Sequence, residues 1–203
     1  MHRSSDRIVK TADVAKLIRA ALKQSFPRTK FAVRSSVYSG GSSIAIRWTD
    51  GPTVAEVQAV AGAYEGRGFD GSIDMGFIVQ AWMLDGKIIG TRSKGTADSR
   101  GSVPAWGLIP PHDDAELVWF ACASVQCTRH LSVEKLRAAA LEVAAFWGLT
   151  APDVRDTAWG AQVDATSAQD RAACQRTNRY WSQLVHEHLA ETEAQTIDAA
   201  ATA

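Results

Sequence analysis

Three kinds of residue in this chain have the type and spacing to do chemistry. Cys122, Cys127 and His130 place three metal-ligating groups within nine residues, and His186 with His188 adds a histidine pair. Structural zinc takes four ligands, most often from tight C-x2-4-C pairs. Here the cysteines are spaced C-x4-C, and Cys122 lies in an apolar run, where a thiol is an ordinary core residue. On a helix His186 and His188 would point about 200° apart, too far to close on one ion. Neither a metal site nor a cofactor is expected.

Catalysis finds equally little support. No G-x-S-x-G occurs, and the serines of the 39–43 segment have no local base. Cys127 and His130 are close in sequence, but a catalytic pair is defined by geometry and not by proximity along the chain. Asp70 with Asp74, or Asp113 with Asp114, could be drawn as acid–base pairs. Both sets sit among glycines and prolines, where aspartate is normal turn chemistry. No catalytic residue is assigned and the chain is expected not to be an enzyme; a hydrolase or nuclease using carboxylates near Asp70 is the weakest alternative.

The remaining group is basic. Lys16, Arg19 and Lys23 fall at helical spacing, Arg34 and Arg47 flank the Ser39-Gly40-Gly41-Ser42-Ser43 turn, and Tyr38 offers a ring for stacking. The turn is not a P-loop, since the Gly-Lys-Ser/Thr ending and the following helix are missing. These six residues are the candidate binding face. They sit in the most basic part of the chain: residues 1–34 hold 9 Lys+Arg and 2 Asp+Glu, a net of +7. Residues 1–100 carry a net of +6 and residues 101–203 a net of −6, so overall neutrality hides a charge dipole. Such fields steer association with phosphate backbones or acidic proteins and say nothing of fold.

The elements that must position these groups follow from periodicity. Val14, Leu17, Ile18, Ala21 and Leu22 mark a helix over 11–24, stopped by Pro27. Alternation over 30–37 and 43–48 around the Gly-Gly turn predicts a hairpin, with glycine supplying positive φ and with Arg34 and Arg47 on its polar face. Thr53 and Glu56 form a capping box for the next helix. Residues 72–84 and 87–92 pair about Asp85-Gly86, and 96–114 is a long loop. Residues 116–125 suit a buried strand, Ser132 to Gly148 bound a helix, 152–164 is irregular, and 169–193 reads as one long polar helix. The fold class is therefore α+β: two layers, a mostly antiparallel sheet of about five strands packed by helices on one side, plus a C-terminal helix. The domains expected are a core at 1–148 and a helical extension at 149–203.

Of seven tryptophans most should be core, while Trp106 and Trp159 stand in loop-like contexts and are expected as exposed interface anchors. No run of about 18 apolar residues or apolar leader occurs, so no membrane span or secretory signal is expected. Three cysteines form no even framework, which points to a reduced, cytoplasmic setting.

The stretches Leu17-Ile18-Arg19, Phe26-Pro27, Lys30-Phe31, Val33-Arg34, Tyr38 to Ile44, Trp48 to Thr53 and Phe69-Asp70-Gly71 carry a family likeness. The chain resembles the twenty-ninth large polyvalent protein-associated domain, most densely over about residues 12–75, with a resumption at 120–143 around Cys127, Arg129 and Ser132. That resemblance implies a mobile-element origin, in phages, plasmids or integrative elements, and a role in protecting incoming DNA or countering host defence. It supplies no catalytic residues. The function expected is a non-enzymatic accessory or anti-defence protein, of anti-CRISPR or anti-restriction type. It would bind a host defence protein or nucleoprotein complex through Lys16, Arg19, Lys23, Arg34, Tyr38 and Arg47. The alternative is direct binding of DNA or RNA by that face. No membrane partner is expected; the long polar C-terminal helix could form a homodimer by pairing with a copy of itself, or could pair with a partner.

Overall fold

The computed structural model describes residues 7–96, 103–158 and 160–201. Trp159, expected as an interface anchor, lies outside them. Contacts gather the chain into two units, Met1–Arg129 and His130–Ala203. The fold is α+β.

The first unit begins with β1 (Arg7–Lys10) and α1 (Thr11–Ser25). The hairpin β2 (Ala32–Tyr38) and β3 (Gly41–Thr49) follows, then α2 (Val54–Ala61) and a 3-10 turn at Gly62–Tyr64. Next come β4 (Arg67–Asp70), β5 (Met75–Ile78), β6 (Gln80–Leu84), β7 (Lys87–Arg92), β8 (Glu116–Ala121) and β9 (Ser124–His130). Three small sheets result, ordered β1-β8-β6-β7, β2-β3-β9 and β4-β5. The single sheet of about five strands is thus replaced by several short ones. Helix α1 buries Val14, Ile18 and Leu22 in one core with Ile44, Ile46, Trp48, Val57, Val118 and Phe120.

Three local differences from the sequence reading have physical causes. β1 pairs in parallel with β8, Arg7 opposite Val118 through Lys10 opposite Ala121. Only two apolar residues between basic ones announce it, too few for a period. The 116–125 run is not one strand: the chain turns at Cys122-Ala123, where Gly66 N donates to Cys122 O at 2.8 Å and Ala123 N to Ser42 O at 3.1 Å. Continuous apolar character conceals that corner, because both flanking strands reach the same core. The 72–84 run likewise divides, β5 turning back on β4 while β6 pairs with β7 across Asp85-Gly86, both residues with positive φ.

The second unit holds α3 (Val133–Trp147), the hairpin β10 (Asp153–Thr157) and β11 (Gly160–Asp164), α4 (Ser167–Thr177) and α5 (Trp181–Ala201). Ser132 caps α3 by accepting from Lys135 N, and Gly148 closes it in the left-handed region. Within the span read as irregular, residues 153–157 and 160–164 form an antiparallel ladder with Val154 opposite Val163. Three aspartates dilute its alternation. The expected single helix over 169–193 is two helices, because Asn178 adopts φ 58° and ends α4. Asparagine is one of the few side-chain-bearing residues that enter this conformation readily. Helix α3, which the sequence places within 1–148, shares its core with Val154, Ala173, Trp181, Leu184 and Val185.

Candidate functional site

The β2–β3 hairpin fixes the face on which its arginines stand. Residues at β3 positions 42, 44, 46 and 48 are buried, as the period of two requires for a strand covered on one side. The register sets Ala32 opposite Arg47, Arg34 opposite Ala45 and Tyr38 opposite Gly41. Directly opposed residues share a face, so Arg34, Tyr38 and Arg47 all project to the outside of the hairpin. Both arginines are exposed, and Tyr38 is 55% exposed. The connection is only Ser39-Gly40, and Gly40 is not among the residues with positive φ, contrary to the role expected for it.

Helix α1 packs against the other, core-facing side of the hairpin, through Val14, Ile18 and Leu22. Its exposed stripe consequently points away from Arg34, Tyr38 and Arg47. The six residues do not make one flat surface; they stand in two groups on either side of β2. Arg19 links the groups, its Nη2 donating to Val33 O at 2.6 Å on the margin of β2. Lys23 is exposed one turn further along α1. Lys16 is engaged locally: its Nζ lies 2.7 Å from Asp13 Oδ1, and this bond, with the lysine charge, lowers the Asp13 carboxyl below its usual range. Among the described residues Arg34 and Arg47 form no ion pair.

Two residues to which sequence reasoning gave no role border this region. Arg129 donates from Nε to Asp50 O at 3.2 Å and from Nη2 to Gly51 O at 2.9 Å. Those carbonyls belong to the left-handed turn that ends the hairpin, φ 53° at Asp50 and 61° at Gly51. Arg67 lines a hollow of about 230 Å³ beneath the hairpin tip, together with Val37, Gly41 and Trp119. Only the folding back of β8 into β9 brings these distant segments together, so no local signal marks the hollow.

The other candidate groups are occupied in structural work. Asp70 is buried; its Oδ1 accepts from Ser72 N and Oγ at 3.0 and 2.7 Å, and its Oδ2 from Thr96 Oγ1 at 2.8 Å. Burial pushes the Cys122 thiol up to about 11 and raises Cys127 as well, which removes the thiolate a nucleophile needs near neutrality. His188 Nε2 lies 2.7 Å from Glu142 Oε2. Among the described residues no three His, Cys, Asp or Glu side chains gather to hold a metal, and no helix is long and apolar enough to cross a membrane. Trp106 is half-buried: its backbone bridges Ser93 in both directions and its ring meets Phe77 edge-on at 5.6 Å.

Residues 9–103 match the model of the large polyvalent protein associated domain 29. Neither the curated proteins nor the solved structures compared with the chain gave a match. The matched span runs from β1 to just beyond β7 and includes all six candidate residues; the 120–143 stretch, where the resemblance resumes in sequence, lies outside it.

Proposed function

We propose that this chain, which carries a large polyvalent protein associated domain 29 over residues 9–103, is a non-enzymatic accessory protein of a phage or plasmid that counters host defence. The domain associates it with polyvalent proteins of phages and other mobile elements. The finer reading is that it binds a host defence protein or nucleoprotein complex through the outer face of the β2–β3 hairpin. One observation carries this: Arg34, Tyr38 and Arg47 all project from the outer face of the hairpin and are exposed there. Arg34 and Arg47 are diagonal neighbours across the hairpin, and Tyr38 stands on the same face four residues further along β2; binding hot spots favour these two residue types.

A second reading, direct binding of DNA or RNA, has the same arginines for phosphates and Tyr38 for a base. Salt separates the two. Nucleic-acid binding through several phosphates weakens by orders of magnitude between low and physiological salt. The decisive experiment is capture from host lysate with the unaltered protein and with Arg34→Glu plus Arg47→Glu. Both side chains are exposed, so the double variant should melt at an unchanged temperature and lose the partner. An unchanged partner list would remove the hairpin from the site, and retention of nuclease-treated partners would set the nucleic-acid reading aside.

A further inference from the structure

We infer that the open edge of β2 accepts an added strand, and that the segment fitting it is an extended acidic polypeptide. The inference rests on the reading that this hairpin binds a protein, and it specifies how.

β2 is an edge strand in the order β2-β3-β9. In an antiparallel pair, alternate residues bond across the ladder while those between turn their N–H and C=O outward. The residues that flank a two-residue connection form a bonded pair. Here they are Tyr38 and Gly41, so Ser36 with Ser43 and Arg34 with Ala45 are also bonded pairs. Val33, Ser35 and Val37 therefore direct their backbone groups to the open edge. The Arg19 bond to Val33 O confirms that polarity, because α1 reaches the carbonyl from outside the sheet. Arg19 thus closes the edge at Val33 and leaves Ser35 and Val37 beyond it.

The side chains tell the same story. Ser35 and Val37 share the face of buried Val33, yet every residue from Arg34 to Tyr38 is exposed, and Val37 is 75% exposed. Helix α1 covers only the first part of the strand. The hollow lined by Val37, Arg67 and Trp119 opens beside the uncovered part, where an inward side chain of an added strand would point. Strand addition takes its affinity from backbone bonds and its selectivity from alternate side chains.

Charge selects the occupant. Arg19 stands at the edge, Arg34 and Arg47 lie on the outer face and Arg67 borders the hollow, so both faces of an added strand would meet cations. A second copy adding its own β2 would bring no carboxylate to these arginines, since Arg34 is the one charged residue of that strand. A nucleic acid has charge to match but no peptide ladder to meet the amides of Ser35 and Val37.

The test uses the full chain and fluorescence anisotropy with a labelled peptide of alternating threonine and glutamate. Comparison probes are the same peptide N-methylated at alternate residues and a single-stranded oligonucleotide. The plain peptide should bind, and N-methylation should weaken it roughly tenfold or more, as loss of one or more backbone bonds requires. Ser35→Pro should weaken it similarly. The Ser35 N–H faces away from β3, so proline there removes no ladder bond of the hairpin. The N-methylated peptide acts on the unaltered protein, so a folding defect in that variant cannot obscure the result. Equal binding of the plain and methylated peptides, binding of neither, or binding of the oligonucleotide alone would each overturn strand addition. If Arg34→Glu with Arg47→Glu abolishes capture of the host partner while Ser35→Pro leaves it intact, the protein-binding reading survives and the open edge does not. If neither variant affects capture, the hairpin reading itself falls.

Discussion

Cys122 shows how one residue can resemble a site and be part of the core. The residue is 1% exposed and packs with Ile44, Val118 and Phe120, and its thiol donates to Ser124 O at 3.3 Å. Desolvation raises its pKa to about 11 from the ordinary thiol value of 9.0. The folded state therefore holds this proton over a range where the unfolded chain has lost it. Stability from this group is fully present below pH 9 and is lost as pH rises toward 11. Urea titrations at pH 8 and at pH 10.5 should differ, with up to about 2 kcal/mol of the difference removed in Cys122→Val. Cys127 and Tyr64, which burial also raises, contribute in the same direction to what remains in the variant. If Cys122→Val leaves the pH dependence untouched, the thiol is not protected as described. The same logic applies at Asp70: a carboxylate that accepts from Ser72 and Thr96 is a turn fastener, and its turn-like surroundings in sequence already said so.

At the scale of elements, what could be read depended on whether the signal was local. Helix α1, the capping box of Thr53 and Glu56, the Asp85-Gly86 turn and the Ser132 and Gly148 caps are each specified by a handful of adjacent residues, and all of them form. The shared outer face of Arg34, Tyr38 and Arg47 was legible for the same reason, since a period of two within one hairpin decides it. The partnership of β1 with β8 and the clamp from Arg129 onto Asp50 and Gly51 join residues far apart in sequence, and no pattern within either segment reports them. The separation of α1's basic stripe from the hairpin arginines was illegible too, because it depends on which side of the sheet the helix covers. The break between α4 and α5 is a nearer miss. Asn178 is a helix-ending residue, but the polar stretch around it hides the interruption. Because its φ of 58° is one that glycine adopts without strain, Asn178→Gly should leave the melting temperature nearly unchanged. Asn178→Ala should destabilise by about 1 kcal/mol in chemical denaturation. An alanine variant as stable as the parent would mean that α4 and α5 can run on as the single helix the sequence suggested.

The described residues gather into two cores on one chain. One cluster draws only on residues up to Cys127, and the other only on residues from Leu131 onward. Charge divides along the same line: residues 1–129 carry 16 Lys+Arg and 12 Asp+Glu, and residues 130–203 carry 6 and 10. The first unit holds the matched domain and every residue of the candidate face; the second lies wholly beyond the match. Separate cores make separate responses the expectation. Leu22 and Trp181 are both fully buried, one in each core. Leu22→Ala should cost about 2–5 kcal/mol and Trp181→Ala about 3–5 kcal/mol, through lost burial and the cavities left behind. Local opening exposes amides in the cooperative unit that has been weakened. Hydrogen exchange read by mass spectrometry should therefore show protection falling across α1, β3 and β8 in the first variant, and across α3, α4 and α5 in the second. Equal loss throughout the chain from either substitution would show that the two cores unfold together. With the expected split, Trp181→Ala becomes the control for binding: it loosens the acidic unit, and capture through Arg34 and Arg47 should persist while that unit opens.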